Sequence, residues 1–544
     1  MKSKYIFFAV SLFTALSVNA QETYENAKLA GEDLNGTARY VGMGGAMEAL
    51  GADISTIGTN PAGLGLFRHS NISLSGGFVM QTNGKDFANG NKTNPSFDQI
   101  GGVYSTRTGQ KSFLNFGFNY HKGKNFDYIL NAANSLNGSS QNKQSYLKNE
   151  LGNEGKGGFH IDKNANGENI GYMNATSESI AYTWSQIDYL YWNTPIPGSP
   201  TASSYNYEPA SSYDFNRSHT GYIGNYDFNV SGNLNDRVYL GITFGLKDVH
   251  YNAYSEYTET FANGAGAIVS DNRKITGSGF DVTAGVIVRP VAESPFRIGA
   301  YIKTPTWYDL TTSNVTTLTY RNGTTKKEKS ISNSYDYKIW TPWRFGLSLG
   351  HTIGSHIALG LTYEYEDYSN INSRINDDGY YDYYYGEYYE SSSPDKYMND
   401  HTRQVLKAVS TLKLGVEYKP VTNLAVRLGY NYVSPMYSSD GQKDPGISSL
   451  GTSYASATDY TDWKATNRFT LGLGYQFRKF NIDLAYQYSA QSGDFYPFSN
   501  IRGVTITSTN PATGTTTVTE SNIATGSKVK NDRSQLLLTL GYRF

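Results

Sequence analysis

The chain has 544 residues, with 47 Tyr, 25 Phe, 56 Gly, no Cys and a formal net charge of −1. Near-neutral charge argues against a nucleic-acid partner, which selects a basic face. The absence of Cys excludes disulfides, a lipid-modified N-terminal Cys and thiolate metal sites.

Residues 1–20 read as a targeting signal: Lys2 and Lys4 precede the apolar run YIFFAVSLFTALSV, and Val18-Asn19-Ala20 offers small residues for cleavage. No other segment approaches the ~20 apolar residues that a membrane-spanning helix requires.

Residues 21–69 lack strand alternation and include GMGGAMEALGADISTIGTNPAGL at 42–64. Glycines at 42, 44 and 45 suggest a nucleotide fingerprint, but no strand precedes them and Met47 holds the third glycine position, so no cofactor loop is expected. The glycines fit tight packing better.

From residue 70 onward the chain alternates. LKLGVEY (412–418), LAVRLGY (424–430), FTLGLGYQF (469–477), IDLAYQY (482–488) and LLLTLGYRF (536–544) each put Leu, Val, Ile, Phe and Tyr on one face and Gly, Thr and charged residues on the other. Strand starts fall near 70, 96, 112, 219, 236, 274, 294, 330, 355, 403, 422, 466, 480 and 533. Short turns alternate with long connections at 80–96, 124–218, 257–273, 310–329, 371–402, 437–465 and 491–532. A soluble sandwich also alternates its faces, but it gives no reason for regularly alternating connection lengths. The expected fold is therefore all-β: a 14-stranded antiparallel transmembrane β-barrel (70–544) with a short N-terminal lumenal hatch (21–69) and a periplasmic N-terminus.

The stretch GTARYVGMGGAMEALGADISTIGTNPAGL resembles the hatch of the FadL/TodX-type outer-membrane transporters, which is alanine- and glycine-rich and ends in Asn-Pro-Ala, here Asn60, Pro61 and Ala62. LGVEYKPVTNLAVRLGYNYVSP (414–435), NRFTLGLGYQF and NIDLAYQY are family-like phrases, and the resemblance runs from about 36 to 544. It implies passive transport of long-chain fatty acids or other hydrophobic compounds across the outer membrane of a Gram-negative bacterium. The ligand would be captured outside, held in the lumen and released sideways. The tyrosine-rich long loops depart from the better-known members.

The resemblance further implies a gate at Asn60, Pro61, Ala62 and Gly63, opposite a wall gap at a kink in the third strand. Gly117 between Phe116 and Phe118 is the candidate for that kink; the alternative is one inward glycine among many. In SIAYTWSQIDYLYW (179–192), Ile180, Trp184, Ile187 and Tyr191 recur at helical spacing. They form either a ligand-capture groove or a loop helix packing on its own rim. GYYDYYYGEYYE (379–390) is a surface loop or a binding patch.

The expected partners are a hydrophobic small-molecule ligand and outer-membrane lipid, with the protein a monomer. No metal and no cofactor are expected. His351 and His356 flank a turn and read as exposed turn residues, while His160, His219 and His401 fall on the outer side. Those three keep a haem receptor as the alternative, beside a structural or adhesive barrel. No arrangement pairs a nucleophile with a base, so no enzyme is expected.

Overall fold

The computed structural model describes residues 22–151, 159–173, 183–194, 196, 207–510 and 514–544. The expected targeting segment 1–20 lies outside them.

Fourteen antiparallel strands close into a barrel. In chain order they begin with β1 (Asn71–Gln81), β2 (Thr93–Arg107) and β3 (Phe113–Asn125, continued by Tyr128–Ser135). Three long strands follow, β4 (Ala210–Leu234), β5 (Val238–Phe261) and β6 (Gly266–Val288). Then come β7 (Arg297–Lys303, continued by Trp307–Asn322) and β8 (Thr325–Trp340, continued by Arg344–Ile353). The circuit ends with β9 (Ile357–Asp367), β10 (Ala408–Val421), β11 (Leu424–Val433), β12 (Tyr460–Phe477), β13 (Phe480–Tyr496) and β14 (Arg533–Arg543). β14 pairs with β1 from Arg543↔Asn71 to Arg533↔Gln81, so the sheet has no edge. Each expected strand is present.

Alternation explains the two faces. On β13 and β14, Ile482, Leu484, Leu536, Leu538 and Leu540 are exposed outward, while Asp483, Ala485, Gln535 and Leu537 are buried inward. The outward residues form the apolar band of a transmembrane barrel. The breaks in β7 and β8 lie side by side at Pro305 and Pro342, which cannot donate to a ladder. Across them Thr341 N donates to Thr306 O and Thr306 N to Thr341 Oγ1.

Two expectations change. The connections 257–273 and 310–329 are mostly strand: β4–β6 run to 25, 24 and 23 residues, and tight turns join β5 to β6 and β7 to β8. Strand pairing satisfies the backbone more fully than an open loop would. The second change concerns the hatch. Its later part, from Arg39 through Leu50–Ala52 to Arg68, lies toward the short-turn end, where it enters β1. Its first helix, α1 (Thr23–Ala30), reaches the long-loop end instead. There Thr23 Oγ1 hydrogen-bonds His401 Nδ1 at 3.0 Å and Thr402 Oγ1 at 2.9 Å, on helix α5 (Lys396–Val405). Tyr24 stacks on Tyr437 and donates to Asp462 Oδ1 at 3.0 Å. The segment therefore runs the length of the lumen.

The long connection after β3 carries helix α3 (Gln141–Leu151) and helix α4 (Gln186–Asn193), and helix α2 (Ala38–Gly42) belongs to the hatch.

Candidate functional site

The lower lumen is filled by residues 36–67. After α2 come two 3₁₀ turns, Ile54–Gly58 and Pro61–Leu66. Asn60 caps the second through Oδ1, which accepts from Ala62 N at 3.2 Å, and Pro61 occupies its first position. Gly44 and Gly45 have φ of +63° and +79°, which accounts for the glycine-rich run at 42–45 without a nucleotide.

The wall meets this segment with glycines of its own. Gly350, Gly360, Gly415 and Gly429 lie opposite one another on β8–β11. Side chains there would collide with Ala49, Ala46, Met43 and Gly44. On the other side Gly241 and Gly285 are also opposite one another and receive Pro61 and Asn60. The Asn-Pro-Ala turn thus seats on β5–β7, and Gly63 packs on Thr56 within the hatch. Glycine costs strand stability; here it permits backbone-to-backbone contact around most of the barrel.

Buried charge fixes the segment further. Glu48, 0 % exposed, accepts from Lys413 Nζ at 2.9 Å, Tyr40 Oη at 3.1 Å and Thr362 Oγ1 at 2.7 Å. Arg39 Nε reaches Glu417 at 3.1 Å, and Glu417 also holds Arg427, which reaches Asp483 at 2.6 Å. Glu32 takes Lys303 at 2.9 Å and Arg344 at 2.6 Å. Burial would raise the Glu32 carboxyl, but Arg344 and then Lys303 outweigh it and hold it well below its ordinary range.

Above the filled region lies a cavity of about 340 Å³, walled by α1, residues 31–35 and the upper barrel. Phe126, Tyr128, Val433, Met436, Tyr437 and Trp463 give it an apolar side. Lys124, Arg468 and Arg533 give it a cationic one, around Asp33. A second cavity of about 80 Å³ adjoins it, sharing Asp33, Asn35, Arg468 and Arg533 and reaching Asp98.

That small cavity backs onto an interruption in the wall. The β2–β3 ladder runs from Arg107↔Phe113 to Gln99↔His121 and stops, while Thr93–Phe97 of β2 still pairs with β1. On the β3 side the register shifts between Lys122 and Lys124. Above the break, the Gln81 side chain binds Ile129, accepting from its N at 2.8 Å and donating to its O at 2.7 Å. Residues 33–35 of the hatch fill the space between. Asp33 N donates to Gly123 O at 2.7 Å, and Asn35 Nδ2 donates to Lys122 O at 3.0 Å and Asp98 Oδ1 at 2.9 Å. Phe97 and Tyr120 stack outside it, 5.6 Å between centroids.

The break is therefore not at Phe116, Gly117 and Phe118. Gly117 pairs with both Val103 and Asn229, and Phe116 and Phe118 point into the apolar band. Gly117 packs on Leu64, so its lack of a side chain makes room for the hatch and bends nothing. Of the candidate capture residues, Ile180 lies outside the described residues. Trp184, Ile187 and Tyr191 are buried, Tyr191 donating to Gln141 Oε1 at 2.8 Å, with Ile187 and Tyr191 in one apolar cluster with residues of the barrel rim. The tyrosine-rich stretch forms a hairpin, Asn372–Asp382 with Glu387–Pro394, whose tip exposes Tyr383–Tyr385. His401 uses both ring nitrogens, on Thr23 and on Gln442 O, and His219 Nδ1 faces Tyr251 Oη. Residues 33–35 and Asp98 carry no signal of their own in the sequence, because the partners that join them to one another and to the wall lie at separations of 63 to 500 residues, Ser96 beside Asp98 apart.

No protein-family model matches the chain, and no curated protein matches it. Among solved structures it is similar to the Ralstonia pickettii toluene transporter TbuX, with 12% identity, 94% of this chain and 99% of that one covered, and a TM-score of 0.45. It is similar to a Pseudomonas aeruginosa FadL homologue with 12% identity, 97% and 99% coverage and a TM-score of 0.44. For the CymD monoaromatic hydrocarbon channel the values are 12%, 95%, 98% and 0.43.

Proposed function

We propose that this barrel is a passive outer-membrane transporter for amphipathic hydrophobic compounds bearing one anionic group, long-chain fatty acids being the representative class. The observation that carries the reading is a lumenal cavity with an apolar side and a cluster of cations, sealed below by the hatch and adjoining a wall break that residues 33–35 fill together with the Lys122 side chain, which donates to Ser96 Oγ at 2.8 Å. A volume of about 340 Å³ falls within the usual range of small-molecule sites. A long acyl chain gains about 0.8 kcal/mol per CH₂ kept from water. Sideways passage into the bilayer preserves that gain, whereas an axial water-filled route forfeits it. The exit in this reading is the β2–β3 break, and Asn60–Gly63 holds the hatch that bars the axial route.

The test is mass spectrometry of small molecules retained by protein extracted from its native membrane and washed in detergent. A stoichiometric single-anion amphiphile supports the reading. Detergent alone, or phospholipid at background level, overturns it and leaves a structural barrel.

A further inference from the structure

Three cations meet one carboxylate above the hatch. Arg468 Nη2 lies 3.8 Å from Asp33 Oδ1, the nearest carboxylate contact that Lys124, Arg468 or Arg533 makes among the described residues. Each of the other two gives one donor to backbone: Lys124 Nζ donates to Gly31 O at 3.2 Å and Arg533 Nη1 to Asn125 O at 3.2 Å. Glu32 next door is already held by Lys303 and Arg344. The cluster therefore sets three cations around Asp33 in a partly apolar space, with Asp98 the carboxylate of the adjoining cavity, and a charge-assisted contact there is stronger than in water.

The same acid is part of the seal. Asp33 Oδ2 accepts from Asn125 N at 3.0 Å while Asp33 N donates to Gly123 O at 2.7 Å. Two residues on, Asn35 bridges Lys122 O and Asp98 across the break. Gly31 and Gly36 bound the segment, Gly36 at φ +139°.

We infer that Asp33 is a built-in stand-in for the ligand's anionic head, and that an arriving carboxylate takes the three cations from it and thereby draws residues 33–35 off the β2–β3 break. This rests on the transporter reading above and adds its trigger. Anion binding and opening of the wall become one event, because one residue serves both. A neutral molecule of the same length fills the apolar side and leaves Asp33 in place. The device therefore discriminates by head group, not by chain.

The test uses the full-length protein in detergent, with palmitate and hexadecanol as probes. In wild type, palmitate should speed hydrogen exchange of amides in 31–35 and 122–125, and hexadecanol should not. Asp33→Asn keeps an acceptor for Asn125 N and removes the competing charge, so palmitate should bind about tenfold tighter with hexadecanol unchanged. Arg533→Gln should weaken palmitate alone and covers the case in which the Asp33 variant misfolds. If wild type binds palmitate but exchange at 31–35 stays protected, or Asp33→Asn tightens neither probe, the trigger is wrong and the transporter reading stands. If wild type binds neither probe, both fall.

Discussion

The carbonyl oxygen of Ala46 occupies the place that a side chain on Gly360 would need. This contact is one of a series in which wall glycines receive the backbone of the hatch. Gly360→Val should force the two apart at a cost of about 1–3 kcal/mol, the usual penalty for overfilling a packed site. The barrel itself should persist, since Gly360 stays paired with Gly350 and Gly415. Planar-bilayer recording checks this: the variant should conduct ions more than wild type, and equal conductance would mean the glycines do not seat the hatch.

Glu48 offers a sharper test of the same contact. Glu48→Ala strips Lys413 of one buried partner and leaves Thr362 and Tyr40 facing a void. Removing one member of a buried pair costs about 3–5 kcal/mol. Hydrogen exchange across 36–67 should accelerate strongly, with the strands of the apolar band remaining protected.

Acid should undock the hatch. Burial raises Glu25, Glu32 and Asp33, but their cations outweigh it: Lys28 and Arg273 for Glu25, Arg344 and Lys303 for Glu32, Arg533, Lys124 and Arg468 for Asp33. All three end below their ordinary values of 4.5, 4.5 and 3.8. A carboxyl with a lower pKa when docked than when free stabilises docking fully above the free value. That stability is lost as pH falls through the docked value. Limited proteolysis of 22–35 should be constant from pH 7 to about 5 and rise below the free-carboxyl range of about 4. A rise on going alkaline would contradict the assignment.

How much of this could be read from the sequence divides along physical lines. Strand number and the facing of each side chain follow from a period of two that each strand displays alone, so LGVEY and LGLGY are recognisable by themselves. For Gly117 the sequence offers a bend or one inward glycine among many, and the structure has the second; its partner, Leu64, is 53 positions away in the chain and leaves no periodic trace to decide between them. The stripe of Trp184, Ile187 and Tyr191 was visible, but periodicity tells only that a face is apolar, not what covers it. The break by Asp98 has local marks, Pro95 on β2 with no N–H to give and Gly123 at the β3 register shift, but neither residue says which neighbouring strand parts from its own.

Burial of that stripe makes its own prediction. Tyr191→Ala should cost about 3–5 kcal/mol in the stability of the loop layer, as for other large aromatic truncations. Protease resistance of 141–151 and 183–194 should fall, while the amount of hydrophobic ligand retained by purified protein stays the same. Loss of ligand with the loop intact would restore the capture role.

The Asn-Pro-Ala turn should respond more gently. Asn60→Ala removes the cap on Ala62 N, worth about 1 kcal/mol. It also vacates the space over Gly285. Uptake assays should show altered ion leakage with ligand retention unchanged, and wild-type behaviour in both would remove Asn60 from the gate.

One hydroxyl joins the first and last strands to the hatch. Thr539 on β14 accepts from Ala38 N at 2.7 Å and shares a 2.7 Å hydrogen bond with Ser75 on β1, while Ala38 and Val41 cluster with Leu537 and Ala485. The seam where the cylinder zips shut is thus also where its plug is fastened. A cylinder without residues 22–67 would have to join its two ends without this shared fastening, so closing the wall and filling the interior are bound together at one place.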